Sequence, residues 1–147
     1  RMRSVEGKSV AEDLKRLISN ISSALEKAEK RAPEVVSDYS AKLKARVTEL
    51  LDGVAVDESR LLNEVAFFAD KADINEEISR LHSHIGQFEN ALDSAGPQGR
   101  NLDFLSQEIG REINTMGSKS NDTQLTNLVI YMKNELEKIK EQIRNVE

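Results

Sequence analysis

Apolar residues recur every three or four positions along almost the whole chain, the spacing that places them on one face of an α-helix. Ser9 is a candidate N-cap for the first such segment, and a Pro disfavours helical backbone at the residue before it. The pattern therefore predicts a first helix that ends at Ala32-Pro33. Its heptad-like stripe consists of Val10, Leu14, Leu17, Ile21, Leu25 and Ala28.

A second stripe with the same spacing follows at once and stops near Asp52-Gly53. The two segments share period and similar length, and a short connection joins them, which is typical of antiparallel helices. The sequence therefore predicts a projecting helical hairpin over residues 9–51. The apolar positions of its second helix are Val36, Tyr39, Leu43, Val47 and Leu50.

Three more helices are predicted in a body that spans residues 58–147. The third helix is long, with an irregularity near Ala72-Asp73, and a Gly- and Pro-containing loop follows it at residues 94–99. A break rich in capping residues separates the fourth helix from the last. The predicted fold is all-α, a long antiparallel helical hairpin followed by a bundle of further long helices, in a single helical domain over residues 1–147. The stripes run over Leu61–Leu92, Leu102–Met116 and Leu125–Val146.

Composition removes several classes of protein. The 147 residues include no Cys, which excludes disulfides, zinc ribbons, iron–sulfur clusters and thiol catalysis. The longest apolar runs are about five residues, far below the roughly 20 that a membrane span needs. The net charge of −5 argues against a basic nucleic-acid-binding protein. Binding of a nucleic acid would therefore need a local basic patch, a metal or another part of the protein. We expect a cytoplasmic protein, and because the sequence opens with Arg1 we expect it to be a piece of a longer one.

Polar residues form a stripe on the third predicted helix, beside its apolar face. Asp73, Glu77, Arg80 and His84 follow one another at steps of four, three and four. His82 and His84 cannot chelate one metal together, because residues two apart on a helix point about 200° apart. The alternatives are a surface ion pair between Glu77 and Arg80 and a hydrogen-bonded surface or core histidine at position 84.

A second candidate lies on the fourth helix, where Glu108 and Glu112 share one face. Two such carboxylates with an imidazole from a neighbouring helix would suit Mg²⁺ or Mn²⁺, or would hold a water for general-base chemistry. The alternative is an ordinary charged face. Gly86 and Gly110 lie within helical patterns at a cost of about 1 kcal/mol each relative to Ala. That cost favours a tight helix crossing first, and close approach of a ligand second.

The turn at Ser118-Lys119-Ser120 is either a capping turn or an anion-binding nest. The motifs of phosphate-binding loops, zinc proteases and serine hydrolases are absent from the sequence. The residues alone therefore indicate a helical domain with one polar patch.

The same polar residues belong to longer motifs that resemble the bacterial YicC/YloC family. The resemblance covers nearly the whole chain and corresponds to the C-terminal half of a family member, without its N-terminal domain. Arg144 departs from the Gln expected there. The motifs are Met2-Arg3 and Glu6-Gly7-Lys8, then Asp73-Ile74 with Glu76-Glu77-Ile78, Arg80-Leu81 and Ser83-His84. They continue with Gly99-Arg100, Leu102-Asp103-Phe104-Leu105, Gln107-Glu108, Arg111-Glu112, Asn114-Thr115, Ser118-Lys119-Ser120 and Glu141–Glu147.

The resemblance implies a cytoplasmic, stress-linked endoribonuclease that depends on Mn²⁺ or Mg²⁺ and forms hexameric rings around RNA. It implies catalytic and metal-binding roles for His84, Glu108 and Glu112. The RNA-binding residues that it implies are Arg80, Arg100, Arg111, Asn114 and Lys119. The supporting residues are Asp73, Glu77 and Asp103.

Two other functions stay open on sequence grounds. In the first, the chain is an oligomerisation or scaffold module of an RNA-binding protein and has no catalytic residues of its own. In the second, it is a passive RNA chaperone, which binds RNA without cleaving it. The expected partners are RNA, the N-terminal domain and further copies of the chain, with no membrane. We expect the fragment alone to be inactive.

Overall fold

The computed structural model describes residues 2–146, and the side chains of 9–145, as five α-helices without a strand. The predicted all-α class is confirmed. The motif residues at 2–8 and at 146–147 lie outside the described side chains. No helix in the described part is long and apolar enough to cross a membrane. The helices are α1 (Met2–Leu51), α2 (Glu58–Ala72), α3 (Asn75–Asp93), α4 (Gly99–Lys119) and α5 (Thr123–Val146).

The core is built by four helices: α1 as far as Val35, α3, α4 and α5. Their apolar stripes face one another, as the period of the sequence requires. The helix α1 packs against α5 and α3, and α4 lies between α3 and α5. The largest fully buried side chains are Phe88, Leu17, Ile18, Ile21, Leu25, Leu81, Leu105, Ile109, Ile113, Met116, Met132 and Ile139.

The predicted helix end at Ala32-Pro33 is wrong, because α1 continues through Pro33 to Leu51. An internal Pro removes one hydrogen bond and costs about 3 kcal/mol or more. Two contacts support the helix across that point. Arg31 bonds Asp38, seven residues on, at 3.0 Å, and the helix beyond Pro33 is packed against α2. Tertiary packing therefore outweighs the local preference of the Pro.

Residues 9–51 accordingly form one helix and not a hairpin of two. A hairpin does exist, but it pairs the second half of α1 with α2, and we call residues 36–72 the arm. None of the arm's side chains, all of them described, is buried. The rings of Tyr39 and Phe68 stack at 3.7 Å between centroids and hold its two helices together. The body therefore comprises α3–α5 with α1 as far as Val35, which differs from the predicted span of 58–147.

The predicted irregularity near Ala72-Asp73 is a complete break between α2 and α3. The Asp73 carboxylate accepts a hydrogen bond from the backbone N–H of Asn75 at 2.9 Å. Ile74, 3% exposed, anchors this joint in the core. The break turns the chain from the arm back into the body and begins α3 with its polar stripe.

Candidate active site on the α3–α4 face

The polar stripes of α3 and α4 meet because the two helices run antiparallel. Arg80 contacts Glu112 with Nε to Oε1 at 3.0 Å, and Lys119 contacts Glu77 with Nζ to Oε1 at 3.1 Å. Both carboxylates are buried, with side chains 7% and 4% exposed. A buried charge needs a partner, and each acid here has a cation from the facing helix. The structure thus gathers four of the predicted residues into one cluster.

Arg80 lies at the centre of the cluster and is the most exposed of these four side chains. Its guanidinium also reaches Glu76 at 3.3 Å and Glu77 at 3.4 Å. The hydrogen bonds to Glu112 and Glu76 raise the pKa of Arg80 above its ordinary value, although burial acts in the opposite direction. The side chain stays 47% exposed. A permanently charged fork is therefore held in a fixed orientation at the protein surface.

Lys119 ends α4 and ties it to the start of α3. Its Nζ donates to both carboxylate oxygens of Glu77 and to the backbone carbonyl of Asp73, at 2.9 Å for the carbonyl. The side chain is 33% exposed. Three acceptors already use its three protons, so a phosphate contact at Lys119 would have to displace one of them.

His84 and Glu108 lie one helical turn away from the pair formed by Arg80 and Glu112. The antiparallel register brings these two positions to the same level. The Nδ1 atom of His84 is buried and has no hydrogen-bond partner among the described residues. The Glu108 carboxylate is 27% exposed, and Arg111 lies 3.8 Å from it. Within the described part of the chain, no hydrogen bond or ion pair joins His84 to Glu108.

The predicted metal ligands His84, Glu108 and Glu112 are not assembled as a ligand set. The described residues contain no group of three His, Cys, Asp or Glu side chains placed to hold a metal ion. The oxygen and imidazole chemistry suits Mn²⁺ or Mg²⁺, but Arg80 already occupies the Glu112 carboxylate. As they are placed, these three side chains do not form one ligand set.

The remaining predicted RNA-binding residues lie on the open face of α4. Arg100, Arg111 and Asn114 are exposed, and so is Asp103. Arg100 stands in the first turn of this 21-residue helix and Lys119 in the last, about 28 Å apart along the axis at 1.5 Å per residue. The structure therefore divides the predicted set into the cluster and a separate stripe along α4.

Two more residues of that stripe, Phe104 and Gln107, belong to the motifs that resemble the family, but no role was predicted for them. Phe104 is 59% exposed. The signal was available: Phe104 falls outside the apolar stripe of α4 and follows Arg100 by four positions, which puts both on one helix face. The fold leaves this ring exposed between polar residues, where a partner could contact it.

Two polar links outside this face were also missed. Asn20 of α1 donates to the buried Glu135 of α5 at 2.8 Å, and Lys138 reaches the same carboxylate at 2.9 Å. Burial would raise the pKa of Glu135, but these two partners outweigh it, and the pKa is lowered. Arg31 of α1 forms a two-pronged bond to Asp122, the residue directly before α5. These links fix how α1 lies against α5.

The fold and this face together define a helical domain that presents paired acids and bases between two antiparallel helices. The chain belongs to the family of the C-terminal region of YicC-like endoribonucleases, whose family model matches residues 28–147. It is 51% identical, over 147 residues, to a protein of Clostridioides difficile named probable endoribonuclease YicC. It is 31% identical, over 146 residues, to a protein of the same name from Haemophilus influenzae. Each match covers 99% of this chain and 50% of the relative, so the chain spans about half the length of these relatives.

Proposed function

We propose that this chain is the C-terminal helical part of an endoribonuclease, and that the α3–α4 face holds an RNA phosphate next to His84. The observation that carries the proposal is the buried Glu112 carboxylate, which orients the half-exposed guanidinium of Arg80 at 3.0 Å. The names of both relatives support the reaction class. Cleavage of phosphodiester bonds in RNA is the activity that we expect of the whole protein.

Arg80 is the group that we expect to meet the substrate. A guanidinium matches the oxygens of a phosphate in a two-pronged geometry, and charge-assisted bonds of this kind are the strong ones. Glu112 and Glu77 are positioning residues, because each touches Arg80 from a buried place in the helix pair. His84 is the candidate acid–base group, since its buried Nδ1 has no hydrogen-bond partner among the described residues.

Dependence on Mn²⁺ or Mg²⁺ is part of the proposal for the whole protein. A bound ion would polarise the phosphate. Glu108, Glu112 and His84 are the ligands that the family resemblance implies, yet they do not gather within the described residues, so no step is assigned to the ion here. A cytoplasmic location, homo-oligomers and contact with an N-terminal domain are proposed on the same resemblance. Cleavage assayed with and without added Mn²⁺ tests the metal dependence.

The central test uses the full-length protein and end-labelled RNA. We expect Arg80→Gln to lower kcat/KM on the order of 10- to 100-fold, the equivalent of one lost charge-assisted hydrogen bond. Glu112→Gln should have a similar effect, since the neutral amide orients the guanidinium less well. The matched control is Arg16→Gln, which removes a guanidinium that is 62% exposed on α1, away from the cluster. Cleavage that is equal in all four proteins would reject this face as the site.

A scaffold function is the second candidate, and one observation favours it. Every charge of the cluster is already paired within the described chain, which is also what a purely structural network requires. The two functions differ for Glu112→Gln. A scaffold role predicts a lower free energy of unfolding with unchanged cleavage per folded molecule, whereas the catalytic face predicts lost cleavage at temperatures where the variant is fully folded.

A further inference from the structure

An open groove of about 340 Å³ separates the arm from the turn between α4 and α5. Its volume falls at the lower end of the range of small-ligand sites, about 300–1,000 Å³. The arm contributes aromatic and charged side chains, and the turn contributes hydroxyl, amide and amino groups. None of these residues belongs to the predicted catalytic trio. The lining residues that matter here are Glu64, Phe67, Lys71, Ser118, Lys119 and Asn121.

Phe67 is the aromatic surface of the groove. Its neighbour Phe68 is half-buried and stacks on Tyr39, so it holds α2 against α1. Phe67 lies about 100° further around the helix and stays 58% exposed. The packing of the arm therefore does not account for this ring. Lys71 lies over one of its faces, which leaves the other face for a flat partner.

The charges of the groove come from Lys71 and Glu64. The Lys71 ammonium lies 5.0 Å from the centre of the Phe67 ring, a cation–π distance. Glu64 lines the same groove, and its carboxylate opposes an anion there. Lys119 contributes little free charge because Glu77 holds it. Lys71 is thus the cation best placed to receive a phosphate beside a stacked ring.

The groove is continuous with the candidate active site. Lys119 lines the groove and also bonds Glu77 in the cluster. Ser118 lines it as well, and it follows Asn114 by four positions on the exposed face of α4. A strand lying along that face would enter the groove at the end of the helix.

We propose that this groove binds one unstacked nucleotide of a single-stranded RNA, with the base on Phe67 and a phosphate on Lys71. The inference rests on the proposed function and extends it to the form of the substrate. Every base has a flat face that stacks on an aromatic ring, which is worth about 1–3 kcal/mol per base. Bases inside a duplex are already stacked on each other and cannot reach the ring. The groove therefore selects single-stranded segments over duplex.

The test measures binding apart from cleavage. The full-length protein with Glu112→Gln and no divalent metal is titrated into a labelled 12-nucleotide oligo-adenylate and, separately, into an RNA duplex. We expect Phe67→Ala to weaken single-strand binding about 10-fold, whereas Phe67→Tyr keeps it. Lys71→Gln should weaken binding. It should also reduce the slope of log K against log salt concentration by about one, the equivalent of one lost phosphate contact. Glu64→Gln should tighten binding.

Two exposed positions serve as matched controls. Leu62→Ala removes an apolar side chain that is 68% exposed on the same helix. Lys133→Gln removes a lysine charge about 15 Å along α5 from its start. Both should bind single strands as the parent does.

Three outcomes would overturn the inference: Phe67→Ala binding like the parent, Leu62→Ala losing as much as Phe67→Ala, or duplex binding as tightly as single strand. Failure of the proposed function gives a different result. If binding depends on Phe67 but the full-length protein cuts no RNA, the groove is supported as a binding site and the endoribonuclease function is rejected. If cleavage depends on Arg80 but not on Phe67, the endoribonuclease function is supported and the groove is rejected as a binding site.

Discussion

The carboxylate of Asp122 both caps the start of α5 and binds Arg31 of α1. Its Oδ2 accepts a hydrogen bond from the backbone N–H of Leu125 at 3.0 Å and so caps the start of α5. Both oxygens also receive Arg31 of α1, at 2.8 and 3.1 Å. The side chains of Arg31 and Asp122 are 16% and 15% exposed. One residue therefore begins a helix and fixes the long helix beside it.

The stability contributed by Asp122 should depend on pH. The hydrogen bond from Arg31 lowers the pKa of this carboxyl, burial opposes it, and the Leu125 N–H adds to the lowering. A lowered pKa in the folded state stabilises the protein above the unfolded value, about 3.9, and that contribution is lost as the pH falls through the folded pKa. Asp122→Asn keeps a capping oxygen but not the charge. The difference in unfolding free energy between wild type and Asp122→Asn should be constant above pH 5 and shrink below pH 4.

Urea unfolding from pH 7 to pH 2.5 measures that difference. Asp122→Ala also removes the cap and should cost about 1 kcal/mol more than Asp122→Asn at pH 7. Asp38→Asn is the matched control, because Asp38 also bonds Arg31 but is 54% exposed. A difference that grows as the pH falls would contradict the assignment of the charge to the folded state.

The residue scale also shows what the sequence can predict. Spacing along one helix predicts that Glu77 and Arg80 are neighbours, and they are, at 3.4 Å. The pair formed by Arg80 and Glu112, 32 positions apart, depends on the register between two helices. Side-chain spacing does not encode that register; the packing of the whole core sets it. The cluster's members were therefore predictable, but their pairing was not.

At the scale of helices, two glycines that look alike in sequence differ in their surroundings. A Cβ on Gly110 would lie 3.1 Å from Cδ2 of the buried Leu136, which confirms a tight crossing of α4 and α5. A Cβ on Gly86 would meet nothing within 4 Å among the described residues. Nothing in the structure explains the glycine at position 86.

The surroundings of the two glycines predict opposite effects of a Gly→Ala substitution on the free energy of unfolding. Gly86→Ala should raise the free energy of unfolding by about 0.5–1 kcal/mol, because Ala loses less entropy in a helix. Gly110→Ala makes the same gain in helix stability, but its methyl group crowds Leu136, and overpacking of this kind costs about 1–3 kcal/mol. The free energy of unfolding of Gly110→Ala should therefore be equal to or below that of the wild type. Denaturant unfolding of the two variants compares them directly. A more stable Gly110→Ala than Gly86→Ala would contradict the tight crossing.

Pro33 shows why helix boundaries were harder to predict than helices. The local rule that Pro ends a helix is sound, and it failed because contacts from distant parts of the chain hold both sides of α1. The same reason explains the hairpin. Similar length and period made residues 9–51 look like two paired helices, but the apolar face beyond Pro33 pairs with α2. Periodicity predicts that a face is covered and does not say by which helix.

The whole molecule divides into a body with a core and an arm without one. The buried core residues lie between Leu14 and Val35 of α1 and in residues 74–143, whereas residues 36–72 contribute none and meet the core through the half-buried Phe68. Free energies of local opening follow buried contacts, and elements with few of them open first. Residues Ala32, Pro33 and Val36 line one pocket with Asp73 and Ile74, so the two ends of the arm meet where it joins the body.

Hydrogen exchange should therefore divide the chain into two stability classes. We expect amides of α2 and of α1 beyond residue 40 to exchange on the order of 10²- to 10³-fold faster than those of α4, since an element without buried side chains opens at a lower free energy than a core helix. The matched internal comparison is α1 between Leu14 and Val35, which is the same helix with a buried face. Peptide-resolved exchange at several protein concentrations makes the measurement. Equal protection of α2 and α4 at all concentrations would contradict the division, whereas protection of α2 that rises with concentration would mean that a second copy covers the arm.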